Sequence, residues 1–90
     1  MNQDTVPVAT DGVATPSADG SAVTFTWVNP DPREGDLYYW ARAESPATRE
    51  VVREPELTVA GVVPGSRVCV NIEIGRSGRT SEALVICTVD

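Results

Sequence analysis

Apolar residues at every second position are the feature that most restricts what this chain can become. In residues 22–28, "AVTFTWV", Val23, Phe25 and Trp27 fall on one side, and Thr24 and Thr26 on the other. That is the pattern of a strand with one face in a core and one in water. Residues 67–74, "RVCVNIEI", repeat it, with Val68, Val70, Ile72 and Ile74 opposite Cys69, Asn71 and Glu73. No segment shows the three- and four-residue recurrence of an amphipathic helix. The chain therefore reads as all-β.

Pro, Gly, Asn and Asp divide these runs into short pieces. Residues 1–12 read as a flexible lead-in, with one short edge pairing around Val6 and Val8, and residues 13–90 as the domain. "GVATP" is a first strand stopped by Pro16, and "SADGS" is a turn. After "AVTFTWV", the loop "NPDPREGD" holds two prolines and a glycine. "LYYWARAE" follows, and Trp40 and Tyr38 inward leave Tyr39 outward. "REVVRE", with charged ends, suits a sheet edge. "PELTVAGV" turns Leu57 and Val59 inward, and "VPGS" makes a corner. "RVCVNIEI" and "EALVICTV" then flank "GRSGRTS", read as a seven-residue loop. Strands at intervals of roughly 8 to 12 residues predict a seven-stranded antiparallel sandwich.

Ninety residues make one small domain, in which a covalent cross-link adds a large share of the stability. Positive charge comes from arginine alone, and seven arginines against thirteen acidic residues give a net charge of −6. A clustered basic patch is what phosphate backbones and anionic membranes require, so neither nucleic acid nor membrane is an expected partner. The apolar runs are too short for a signal peptide or a membrane span. If the protein is exported, this chain is expected to be a mature module or an excerpt.

Both cysteines flank the final hairpin. Pairing its strands symmetrically about Gly78 sets Val70 against Ile86, Ile72 against Leu84 and Cys69 against Cys87. One register thus satisfies the apolar faces and places the sulfurs within bridging reach on the opposite face, and a one-residue slip breaks both matches. A structural disulfide is the expectation, and with it an oxidising, extracytoplasmic setting. Two buried free thiols or a reactive pair are the alternatives. A zinc site needs more ligands than two cysteines without histidine supply, and no close Cys-x-x-Cys spacing points to redox chemistry.

Several stretches together resemble the fibronectin type III family. Trp27 followed by "VNP", the aromatic "LYYWAR", "LTVAGVVPGSRV" with Val62 and Pro64, and "GRTSEALVICT" occur in the family's order over residues 13 to 88. The resemblance implies an immunoglobulin-like sandwich used as a spacer or interaction module in a larger protein. The sequence departs from the pattern at Val68, where the family usually has the tyrosine of its tyrosine corner. A bridge between adjacent strands is also unusual for the family. The lysine-free, valine-rich composition resembles modules of exported or membrane-anchored proteins of high-GC bacteria.

The chain offers little to a catalyst. It has no histidine and no phosphate-cradling glycine motif, so no enzymatic activity and no cofactor are expected. Asp31, Glu34 and Asp36 share a loop but lack the spacing of a calcium site, and Glu54 with Glu56 reads as solvated edge charge. Two binding candidates remain. Tyr39 is an exposed aromatic able to anchor a partner, or else packs on arginine stems such as those of Arg42 and Arg53. The loop Arg76, Ser77, Gly78, Arg79, Thr80 and Ser81 presents arginines suited to a carboxylate or phosphate partner, or else is solvated. The expected role is a non-enzymatic, monomeric spacer or interaction module with a protein or glycan partner. An accessory domain of a secreted enzyme and a sensor domain of a membrane kinase or receptor are the alternatives.

Overall fold

The computed structural model describes residues 6–88. Strands β1 (Thr10–Pro16), β2 (Ala22–Val28) and β5 (Glu56–Ala60) form a three-stranded sheet in the order β1-β2-β5. Strands β3 (Leu37–Arg42), β4 (Glu50–Val52), β6 (Cys69–Arg76), β7 (Arg79–Thr80) and β8 (Leu84–Cys87) form the second sheet, with β4 at one edge and β7 and β8 both on β6 at the other. Every pairing is antiparallel. The sheets enclose a core from the inward halves of the alternating runs: Val23, Phe25 and Trp27 from β2, Leu57 and Val59 from β5, and Val70, Ile72 and Ile74 from β6. Trp27 meets Tyr38 edge to face, with ring centroids 5.5 Å apart.

The expected strands are present, and an eighth, β7, lies in the segment read as the last loop. At the tip of the final hairpin Gly75 faces Thr80 and Arg76 faces Arg79, whereas lower down Cys69 faces Cys87 and Ile72 faces Leu84. Facing positions thus sum to 155 at the tip and 156 below it. The extra residue sits where Ser81 bonds Ile74 while Glu82 and Ala83 together oppose Glu73, a β-bulge. The bulge separates β7 from β8. It also corrects the seven-residue loop: the connection is the two-residue turn Ser77–Gly78, both at positive φ (51° and 80°). Such a turn matches the right-handed twist of a hairpin.

The start of the chain differs from the expectation as well. Residues 1–5 lie outside the described residues. Val6 and Ala9 are buried in the core cluster, and β1 begins at Thr10, inside the segment read as a lead-in. A bulge at Asp11 (φ 55°) lets β1 pass over β8, where a Cβ on Gly12 would come within 2.6 Å of Ile86 Cγ1. Alternation carries no trace of this packing, because it depends on which strand lies across the sandwich.

Val68, in place of the family's corner tyrosine, is only 2% exposed. Its N–H donates to Thr88 Oγ1 at 3.0 Å, and Thr88 N–H donates to Val68 O at 2.9 Å. These bonds and the adjacent disulfide fasten the start of β6 without a tyrosine.

Candidate functional site

Cys69 and Cys87 are joined, with Cα atoms 4.0 Å apart. Both lie on the outer face of the five-stranded sheet, and no sulfur enters the core cluster. The bridge therefore holds β8 to β6 without replacing any apolar contact, as a staple does.

Arg76, read as part of an exposed loop, is the last residue of β6 and is mostly buried, with a side chain 16% exposed. Its Nε and Nη2 donate to the two oxygens of Asp36, each at 2.8 Å, and Nη2 also donates to Asp31 O at 2.7 Å. The Asp36 side chain is 4% exposed. It accepts further bonds from Asn29 Nδ2 at 2.9 Å and Arg33 N–H at 3.0 Å. A two-pronged guanidinium–carboxylate pair of this geometry is among the stronger polar contacts available to a protein. It draws the Asp36 carboxyl far below the usual carboxylate range, with hydrogen bonding by Arg76 the largest cause, and raises Arg76 in turn.

The β2–β3 loop and the final hairpin are thus one connected unit. Asp36, weighed as a calcium ligand from sequence, is instead committed to Arg76. No group of His, Cys, Asp and Glu side chains suited to a metal ion occurs among the described residues. Ser81 is also taken up internally: it is 6% exposed, its Oγ accepts from Ile74 N–H at 2.9 Å, and it donates to Glu82 O at 2.8 Å. What stays exposed at the tip is Ser77, Gly78, Arg79 and Thr80.

Tyr39 lies on the outer face, opposite Tyr38, which is 6% exposed. Its ring leans across the diagonal of the β3–β6 ladder onto Gly75, and the Arg49 guanidinium sits 4.9 Å from the ring centroid. Arg49 is anchored to Glu73 at 2.6 Å. The partner is thus an arginine, but Arg49 rather than Arg42 or Arg53. Arg49 precedes β4, and sequence gives no way to bring it over β3. At Gly75 an alanine Cβ would collide with the Tyr39 ring. Gly75→Ala is expected to lower stability by about 1–3 kcal/mol, measured by thermal unfolding. Adding Tyr39→Ala should make the second substitution cost less than it does alone, since the obstacle is gone.

The opposite pole holds a cavity of about 240 Å³ bordered by Pro16, Val23, Val62, Ser66 and Thr88. Its lining has no ionisable side chain, so it lacks a group for acid–base work.

Neither a family model nor a curated protein matches the sequence. Solved structures do match the fold. Domains d3–d4 of the rat CD45 extracellular region superpose with a TM-score of 0.72 at 8% identity over 90% of this chain. An FN3 domain of human collagen XX gives 0.62 at 19% identity over 96% of this chain and 93% of that one. The fold is that of a fibronectin type III domain. The FN1–FN3 domains of chicken CNTN1 give 0.64 at 17% identity over 92% of this chain. The chain spans 47% of the CD45 structure and 30% of the CNTN1 structure. At these identities the likeness to fibronectin type III domains is one of fold.

Proposed function

We propose that this fibronectin type III-like domain is a non-enzymatic, extracytoplasmic module of a longer protein, presenting the hairpin tip at residues 77–80 to a protein partner. One observation carries the reading. The tip is exposed while both of its supports are tied down, by the Arg76–Asp36 pair close to the turn and by the Cys69–Cys87 bridge below. A surface ordered before contact loses less conformational freedom on binding, which is what an interaction loop gains from such fastening. The disulfide supports an oxidising location.

The test must spare Arg76, whose loss would disturb the fold. A photoreactive side chain at Thr80 in the full-length protein should cross-link a partner that Arg79→Glu reduces by tenfold or more. An Arg79→Glu protein that retains the same partner with undiminished yield would exclude the tip and leave the domain as a spacer.

A further inference from the structure

The two sheets have four lateral edges, and three carry the usual protections against strand addition. β1 is bulged and ends on Pro16. β4 has three residues and sits between Arg49 and Arg53. β5 opens on the exposed Glu56. The fourth edge is shared by β7, which carries Arg79, and β8, set off from it by the bulge at residues 81–83. Leu84–Cys87 carry neither charge nor proline, and among the described residues β8 pairs only with β6.

The hydrogen-bond pattern shows which groups that edge offers. Thr88 N–H donates to Val68 O, so the paired residues of the ladder alternate from there. Ile86 and Leu84 exchange bonds with Val70 and Ile72, while the N–H and C=O of Val85 and Cys87 point away from β6. Val85 is 56% exposed, on the outer face.

We infer that this edge is a self-association site, where β8 strands of two copies pair antiparallel about a two-fold axis with Val85 opposite Val85 of the second copy. In a sheet, facing residues must share a face, and a two-fold bonded pair must be centred on a residue whose backbone groups point outward. Val85 meets both conditions and lies within the strand. Leu84 then faces Ile86, Cys87 faces Ala83, and Glu82 faces Thr88.

The edge fits a copy of itself for two reasons. Glu82 is the only charged residue in positions 82–88 and lies opposite a threonine, so two acidic chains bring no like charges face to face along the seam. Each exposed Val85 is covered by its equivalent, as an isologous contact requires. The disulfide holds β8 in place beforehand, which limits the ordering cost of association. The resulting two-domain sheet replaces the monomeric state expected from sequence.

Sedimentation equilibrium of the disulfide-intact chain, from about 10 μM to about 1 mM, tests the proposal. A monomer–dimer equilibrium with a midpoint on the order of 0.1–1 mM is expected, because a few backbone bonds must offset the cost of association. Amide exchange at Val85 and Cys87 should slow as concentration rises. Val85→Lys should weaken association at least about tenfold by opposing like charges across the seam, with an unchanged melting curve in dilute solution, and Val85→Thr should retain it. Monomer at every concentration overturns the proposal, including the case where a foreign strand occupies the edge of a chain that stays monomeric. A dimer indifferent to Val85→Lys, or one that protects amides of β4 instead, also overturns it.

Discussion

Replacing Cys69 and Cys87 together by alanine lowers the stability of the domain by about 3 kcal/mol, the chain-entropy value for a loop closed across a separation of 18 residues. In a domain of this size that corresponds to a fall in melting temperature of roughly 12–24 °C. The loss should fall mainly on the unfolded state. No sulfur belongs to the core cluster, Val70 and Ile86 stay paired by the same ladder, and the Thr88–Val68 bonds remain at its end. The variant should therefore keep its native amide chemical shifts outside the immediate rung while unfolding at lower temperature. Thiol titration of the unreduced, denatured wild type should detect no free thiol. A variant as stable as wild type, or one whose shifts move throughout β6 and β8, would show that the bridge acts otherwise.

The position of that bridge was legible because two local rules agree. Strand alternation assigned Val70, Ile72 and Ile86 to the core, and antiparallel arithmetic then set Cys69 across from Cys87, as observed. The same arithmetic, centred on Gly78, missed the tip. A bulge leaves the register below it unchanged and shifts only what lies above, so the cysteines gave no sign that Arg76 faces Arg79 or that Ser81 turns inward to Ile74. The two-residue Ser-Gly turn was the available signal, since such a turn requires positive φ at both positions and glycine readily supplies one of them.

Contacts distant along the chain had no sequence signal of their own. Arg76 and Asp36 are 40 positions apart, and each resembles an ordinary charge in a polar loop. Only the pairing of β3 with β6, which sets Leu37 against Gly75, brings the two together. Arg49 reaches Tyr39 in the same way, because β4 pairs with β3 and sets Val51 opposite Tyr39. Period-two patterns identify which face a residue occupies, whereas the neighbour of a strand within its sheet follows from topology.

Asp36→Ala is expected to cost about 2–4 kcal/mol, because Arg76 would remain mostly buried with only the exposed Asp31 carboxylate, 4.0 Å away, to balance its charge. Arg76→Ala should cost a similar amount, since the Asp36 carboxylate would keep Asn29 and Arg33 N–H but lose both bonds from the guanidinium. The double variant should be less destabilised than the sum of the two, and that shortfall measures the pair itself. Acid provides an independent route to the same contact. The carboxyl of Asp36 is depressed in the folded state, so its contribution is fully present above the ordinary value of 3.8. It declines as pH falls below about 4 towards the folded-state value, where the unfolded chain takes up the proton more readily. Arg76 stays charged throughout, since its own shift is upward. Denaturant unfolding at pH 7 and pH 2.5 should therefore show a smaller loss on acidification for Asp36→Ala than for wild type. If both proteins lose the same stability between those conditions, the buried pair is not what acid removes.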